Sequence, residues 1–308
     1  MRNSFLSRRV FIKAILLTGF LASHCVLAQD YPGLISLPGQ NQVVYYSQGS
    51  EVKASRMARQ LKNVNAFYAK HLGSTPEVAL LVLSVNDWKN YAADVVYGMP
   101  HYRNDQTLVV ASEDNGFWKS FIPPMDKIPV DLASRIRNAY SKNGKISMEP
   151  FFDLLAIHEL GHAYHFQDSI RMQRNWLSEL FVNIFLHSYI AENEPGLLPA
   201  LTTFPEMVVA LTDPATLAFT SLHDLHTRYN EIAQKHPQNY GWYQCRWHMA
   251  AGTIYDAGKI EMVKRLWVAL RTQKKVLDDD RLAEFLKMNV HERLAEVQTN
   301  WDNPNKRE

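Results

Sequence analysis

The chain has 308 residues, with 33 Lys and Arg against 31 Asp and Glu, and its formal net charge is +2. This balance provides no basic patch for nucleic acid and no charge run typical of a disordered tail. The length is enough for one two-lobed domain, or two small domains, with a sizeable apolar core.

The N-terminus has the pattern of an export signal. Residues 1–28 carry four basic residues and no acidic ones, and their apolar run ends at a small-residue pattern that places cleavage before Gln29. Residues 7–13, Ser-Arg-Arg-Val-Phe-Ile-Lys, resemble the bacterial twin-arginine signal. A general secretory signal and lipidation at Cys25 are the alternatives. We therefore predict a periplasmic or secreted protein without a membrane span once the signal is removed.

The predicted mature chain must rely on its apolar core for stability. Without residues 1–28 it carries 29 basic and 31 acidic residues. Cys245 is then its single cysteine, so no internal disulfide is expected.

Residues 29–170 are predicted to form a mixed lobe of helix and sheet. Helical spacing covers residues 51–72 and predicts a helix end near Gly73. Three short apolar runs predict strands, at residues 43–46, 78–85 and 107–111.

The most informative segment is residues 158–162, His-Glu-Leu-Gly-His. Residues four apart lie on one face of a helix, so His158 and His162 can hold one metal ion together. Glu159 is placed to accept a proton from a water that the metal activates. Gly161 is unfavourable inside a helix and therefore predicts close approach by another element.

A catalytic zinc usually takes three protein ligands and leaves one position open. Residues 176–183 form a mostly apolar helical segment with Glu179 and Asn183 on one face. A lone carboxylate in such a helix is costly to bury unless it is paired or bound to metal. Glu179 is therefore the predicted third ligand of one Zn²⁺ per chain. The alternative is a salt bridge between Glu179 and Arg171 or Arg174.

The remainder of the chain, residues 171–308, is predicted to form a helical lobe that carries Glu179. Its predicted helices cover about 174–192, 218–235, 242–257, 259–272 and 279–298.

The motif on one helix and the glutamate on the next resemble the gluzincins, which are zinc metallopeptidases. Residues 176–179, Trp-Leu-Ser-Glu, look like the Trp-Leu-Asn-Glu segment of the aminopeptidase-N-like branch. Sixteen residues separate His162 from Glu179, where that branch usually has about eighteen. Thermolysin-like relatives carry an aspartate at the position of Asn183, which here would accept a hydrogen bond from the ring of His158. The resemblance is at clan level and covers residues 154–183.

The resemblance implies a zincin-like α+β fold with the active-site helix at the end of the N-terminal lobe. It also implies an edge strand that pairs with the substrate backbone beside that helix. We assign this role to residues 107–111, with an interior strand as the alternative.

A residue of the helical lobe is expected to stabilise the oxyanion, because related enzymes use a tyrosine or a histidine there. Tyr243 is the prediction and Tyr240 the second choice. His223 and His226, three residues apart, are an alternative donor pair or a second metal site, and a solvated histidine pair is the simpler interpretation.

A rival pattern exists for the third ligand. Metzincin-type zinc peptidases extend the motif to a last ligand that falls here at Asp168. Their motif has a glycine where this chain has His165, and a β-carbon there strains the turn that brings the last ligand back. Glu179 is therefore favoured over Asp168.

The sequence predicts an exported zinc-dependent peptidase with Glu159 as general base and a peptide or protein as its substrate. The alternative is a non-catalytic zinc- or peptide-binding protein of peptidase ancestry. Intact Glu159 favours catalysis, because a purely structural zinc site needs no general base.

Overall fold

A small mixed sheet occupies the first half of the computed structural model, which describes residues 31–40 and 42–302. The five strands of this sheet are β1 (Ile35–Ser36), β2 (Val44–Tyr46), β3 (Ala79–Leu83), β4 (His101–Tyr102) and β5 (Thr107–Ala111). Their order is β1-β2-β3-β5-β4, with β2, β3 and β5 parallel and the two outer strands antiparallel to their neighbours. A separate hairpin is formed by β6 (Ser141–Lys142) and β7 (Lys145–Ile146).

Thirteen α-helices are found in the described residues, most of which are helical. The first five are α1 (Glu51–Leu72), α2 (Val85–Tyr91), α3 (Gly116–Lys119), α4 (Val130–Tyr140) and α5 (Glu149–Phe152). The next four are α6 (Leu155–Gln167), α7 (Asn175–Asn193), α8 (Leu198–Leu211) and α9 (Leu222–Lys235). The last four are α10 (Pro237–Gly258), α11 (Ile260–Thr272), α12 (Asp279–Asn289) and α13 (Glu292–Thr299). The predicted mixed α+β class is confirmed.

The apolar runs predicted as strands are confirmed as β2, β3 and β5. Every residue of β5 and four of the five residues of β3 are buried, so these strands have no solvated face. Helix α1 packs against β2 and β3, and α6 packs against β4 and β5. The end of α1 is also as predicted, because Gly73 adopts a left-handed conformation with φ 69° and its N–H bonds to the Ala69 carbonyl.

The prediction that residues 107–111 form an edge strand is wrong. β5 lies between β3 and β4, and β4 is the edge strand beside α6. A tight turn produces this order, with Gln106 at φ 63° and Arg103 N–H bonded to the Thr107 carbonyl, so that β4 folds back along β5. The two residues of β4 are too few to give a strand pattern in the sequence.

Helices α6 and α7 pack closely through Gly161. A β-carbon at Gly161 would lie 3.0 Å from Val182 Cγ1 and 3.3 Å from Phe185 Cδ1, both on α7. The glycine of the motif is therefore the point of contact that the sequence predicted. It holds the two helices at a separation that lets side chains from both converge.

The C-terminal half is helical as predicted, with two differences. Helix α8 was not among the predicted helices, because Pro199 and Pro205 indicate breaks, but Pro199 lies in its first turn and Pro205 is accommodated inside it. The single helix predicted at residues 279–298 is two helices, because Val290 leaves helical conformation at φ −120° and ψ −78°. His291 then caps α13 by accepting a hydrogen bond from Arg293 N–H at 3.1 Å. The described residues from Gly33 onward form one compact unit. The division into lobes at residue 170 stays a prediction.

The export signal predicted for residues 1–28 lies outside the described residues. Among the residues that the structure does describe, no helix combines the length and the apolarity needed to cross a bilayer.

Candidate metal centre

The two histidines of the motif lie one turn apart on α6. His158 is buried and His162 is partly buried. Their ring centroids are 5.0 Å apart and the ring planes are inclined by 74°. Both Nε2 atoms approach the same carboxylate on α7. The helical spacing alone accounts for the pairing, as the sequence predicted.

Glu179 of α7 completes this group. Its Oε2 lies 3.4 Å from His158 Nε2 and 3.7 Å from His162 Nε2. One ligand atom from each of the three residues lies within 4.8 Å of the other two, an arrangement that can hold a metal ion. Within residues 31–40 and 42–302 no other group of three such side chains is found. The alternative salt bridge with Arg174 is not formed, because Arg174 pairs with Asp279 at 2.7 Å.

The Glu179 carboxylate is held by neutral donors on both oxygens. Tyr229 O–H donates to Oε1 at 2.7 Å, and Gln244 Nε2 donates to Oε2 at 2.7 Å. Burial by itself raises the pKa of Glu179, but the charges and hydrogen bonds of His162 and His158 outweigh it and keep the pKa well below its usual range. The carboxylate is therefore kept ionised at a buried position.

A second set of contacts orients the two imidazoles. Asn183 Oδ1 lies 3.3 Å from His158 Nδ1, in the place that the sequence predicted. His165 Nε2 lies 3.0 Å from His162 Nδ1 and 3.2 Å from Ser178 Oγ. Each Nδ1 thus has a partner that leaves Nε2 to face Glu179, which is how metal-binding histidines are commonly held.

His165 had no predicted role, and the structure shows why it belongs to the centre. It is buried, and burial together with the charge of His162 lowers its pKa well below the ordinary histidine value, so the ring is neutral. A neutral imidazole can accept the proton of His162 Nδ1. The sequence signal was its position three residues after His162, on the same side of α6.

Glu159 lies beside the three-residue group without joining it. Its Oε2 accepts a hydrogen bond from the backbone N–H of Tyr102, in edge strand β4, at 3.0 Å. Burial raises the pKa of Glu159 to about 7. A carboxylate with such a pKa can both take up and release a proton near neutral pH.

A cavity of about 430 Å³ opens onto the centre and is lined by His158, Glu159, His162 and Glu179. This volume is within the range of small-molecule and cofactor sites. Edge strand β4 lines one part of the cavity, and aromatic side chains from α3, α5 and α8 line another. The four candidate residues are thus placed where a substrate can reach them.

Tyr243 is not brought to this cavity. Its hydroxyl donates to the Ser221 carbonyl at 2.8 Å, and its ring stacks on Trp301 with centroids 5.8 Å apart. Tyr240, the second choice, lines the cavity. The reason is helical phase: Tyr240 and Gln244 lie four apart on the cavity face of α10, whereas Tyr243 is rotated away from them.

Tyr229 and Gln244 are the functional candidates that the sequence analysis missed. Gln244 stands midway between Tyr240 and His248 in a polar series with a spacing of four, which is a readable signal for one helix face. Tyr229 on α9 has no comparable signal. Its contact with Glu179 depends on how α9 packs against α7, which the sequence pattern does not specify.

The other residues considered as a metal ligand or an oxyanion donor lie away from the three-residue group. Asp168 accepts a hydrogen bond from Ser74 Oγ at 2.7 Å and lies 3.7 Å from Arg271, outside the three-residue group. His226 Nδ1 accepts a hydrogen bond from the backbone N–H of Asn175, and neither His226 nor His223 lines the cavity.

Comparison with known proteins does not assign the chain to a family. No protein-family model, no curated protein and no solved structure matches it.

Proposed function

We propose that this protein is a zinc-dependent hydrolase of peptide bonds. The observation that carries the proposal is the convergence of His158, His162 and Glu179 beside a cavity that also contains Glu159. Two imidazole nitrogens and one carboxylate oxygen are a donor set of catalytic zinc sites, in which the fourth position is open.

The spacing of the ligand atoms fits this ion. Two atoms bound at 2.0–2.2 Å from a tetrahedral zinc lie roughly 3.3–3.6 Å apart. The observed distances from Glu179 Oε2 are 3.4 Å to His158 and 3.7 Å to His162. Small adjustments of the side chains are sufficient to bind the ion, and the hydrogen bonds around the group restrict larger ones.

In the proposed reaction, the metal ion and Glu159 have different roles. A bound zinc ion supplies Lewis-acid polarisation of a carbonyl and lowers the pKa of water. Glu159 accepts the proton of the attacking water and donates it to the leaving amine. The backbone N–H of Tyr102 fixes one oxygen of this carboxylate, so its orientation at the cavity is set by the sheet edge.

For the oxyanion donor we propose Tyr240 in place of Tyr243, because Tyr240 lines the cavity. Burial and the negative charge of Glu179 raise the pKa of Tyr240 well above its usual value, so the hydroxyl keeps its proton. Tyr229 donates its single proton to Glu179, so Tyr240 donates to Tyr229 at 3.0 Å and must turn this proton toward the substrate to stabilise a developing negative charge.

The resemblance to gluzincins supports the same function, since its predicted ligands are the three residues that the fold brings together. A zincin-like arrangement of the two lobes and export through the signal at residues 1–28 are parts of the proposal that rest on the sequence.

The direct test is Glu159→Gln. The variant is expected to retain about one zinc per chain while hydrolysis of a mixed peptide library falls by about 10²–10⁴-fold, because the general base is lost and the ligands remain. Metal content and cleavage products, each with and without a chelator, are the measurements. Glu77→Gln, at an exposed glutamate, is the matched control and should retain activity.

A non-catalytic binding protein would give a different result. The wild-type protein would then bind zinc and cleave no peptide, and Glu159→Gln would change nothing. That outcome would overturn the proposal.

A further inference from the structure

One side of the cavity is built from aromatic rings. We use the name aromatic pocket for the part of the cavity lined by Phe117, Trp118, Phe121, Phe151 and Phe204. The rings contact each other edge to face or tilted, with centroids 4.6 Å apart for Phe151 and Phe204 and 5.4 Å apart for Trp118 and Phe151. Such a lining offers a large apolar contact area and a preference for another ring.

The aromatic pocket is continuous with the metal centre. The ring of His248 lies 6.3 Å from that of His158 and 5.8 Å from that of Phe151. A group bound in the pocket is thus only a ring's width from the metal ligands.

The wall formed by α3 is anchored in place. Trp118 Nε1 donates to the Gly98 carbonyl at 2.6 Å. Gly98 has φ +96°, and a β-carbon there would lie 2.1 Å from Asn115 Nδ2, so the close approach of the two segments requires glycine. The pocket is therefore formed before a ligand binds, which reduces the ordering cost of binding.

A second glycine closes the pocket against α10. A β-carbon at Gly241 would lie 2.9 Å from Phe121 Cε1, so the ring of Phe121 rests directly on the helix backbone. Phe121 also contacts Phe204, with centroids 5.9 Å apart. Phe121 is half-buried, so it can be changed with less effect on the core than the fully buried Phe151 and Phe204.

The charges around the cavity disfavour an acidic guest, and its aromatic walls disfavour a hydrated basic one. The carboxylates of Glu159 and Glu179 line it, and none of the described lining residues is Lys or Arg. An acidic side chain would be repelled and left without a partner, and a basic one would lose its hydration against the rings. A phenyl-sized apolar side chain has neither disadvantage.

We propose that the aromatic pocket selects substrates by binding one large apolar side chain, of phenylalanine or leucine size, next to the scissile bond. The proposal rests on the proposed hydrolase function and adds its substrate class. Each additional methylene in such a pocket changes kcat/KM by about 10-fold or more. A phenylalanine at this position should therefore be preferred over alanine by at least about 100-fold.

The kinetic test uses peptides that differ at one position, carrying Phe, Leu, Ala or Asp there. The wild-type protein should prefer Phe and Leu, and Phe121→Ala should reduce the ratio of kcat/KM for Phe over Ala about 10-fold. Phe67→Ala is the matched control, since Phe67 is also half-buried but contacts His71 and Tyr189 outside the cavity. An unchanged ratio in Phe121→Ala, or a wild-type preference for Asp, would overturn the proposal.

A binding test separates this proposal from the hydrolase function. N-acetylphenylalanine amide and N-acetylalanine amide are titrated into Glu159→Gln, with tryptophan fluorescence as the signal and Trp118→Phe in the same background to assign it. Only the phenylalanine amide should change the emission of Trp118. If the phenylalanine amide binds but the wild-type protein hydrolyses no peptide, the pocket proposal is supported and the hydrolase proposal is wrong. If the wild-type protein hydrolyses peptides without preferring apolar side chains, the hydrolase proposal is supported and the pocket proposal is wrong.

Discussion

Glu179 and Asp153 are both buried carboxylates, but their surroundings differ in charge. Asp153, at the junction of α5 and α6, lies 2.8 Å from Lys53 Nζ and also pairs with Arg56. Glu179 receives hydrogen bonds from a tyrosine and an amide and faces two imidazoles. Asp153 lies just before α6, which carries the motif, and Glu179 lies on α7, which packs against α6.

The two sites differ in whether Lys or Arg side chains of the chain balance the negative charge of the carboxylate. A buried charge is costly unless it is paired and hydrogen-bonded. Asp153 has its positive charges from α1, so it serves to dock α1 beside α6. Glu179 is oriented by neutral donors, and imidazoles are neutral when they bind a metal. The positive charge that balances the Glu179 carboxylate is therefore best supplied by a metal ion.

The largest expected effect is a loss of metal affinity, which should follow substitution of Glu179 and not substitution of Asp153. Glu179→Gln should weaken zinc binding by about 10²–10³-fold, because the roughly 10–16 kcal/mol of a four-ligand zinc site corresponds to about 2.5–4 kcal/mol per ligand. Asp153→Asn should leave the affinity unchanged. Competition with a chromophoric chelator measures both constants.

A loss of equal size in the two variants would remove the contrast, since it would indicate a general loosening of α6. Loss in Asp168→Asn with retention in Glu179→Gln would transfer the third ligand to the metzincin-like pattern.

The next effect concerns stability. Lys53→Met should lower the free energy of unfolding by about 3 kcal/mol, at the lower end of the range for a broken buried pair because Arg56 still contacts Asp153. The midpoint of urea unfolding at unchanged slope is the measurement. Lys62→Met, at an exposed position of α1, is the control. Zinc affinity should be the same in both variants, and a selective loss in Lys53→Met would contradict the separation of the two sites.

The smallest effect tests the partner of His162. His165→Ala should weaken zinc binding by about 10–100-fold, the cost typical of removing a group that orients a metal ligand. His187→Ala removes another buried histidine, one that contacts Tyr255 on α10, and should not change the affinity. Equal affinities in the two variants would show that His165 only fills space.

The structure brings His158, His162 and Glu179 together as predicted, and the signal was local for the two histidines and energetic for the glutamate. His158 and His162 share a helix face by their spacing alone. Glu179 stands in an apolar helix, where an unpaired carboxylate is expensive, and the fold brings it to the two rings. Gly161 predicted the close contact of α6 and α7, because glycine destabilises a helix interior and is expected there mainly where another element approaches closely.

The remaining features were decided by packing between distant segments. The edge position of β4 depends on a turn at Gln106 that folds two residues back along β5. Whether Tyr240 or Tyr243 faces the cavity depends on the rotation of α10 against its neighbours, and Tyr229 reaches Glu179 only because α9 packs beside α7. The sequence by itself determined which residues share a helix face and which are costly to bury. Only the tertiary structure decided which faces meet, because that is set by the simultaneous packing of many side chains.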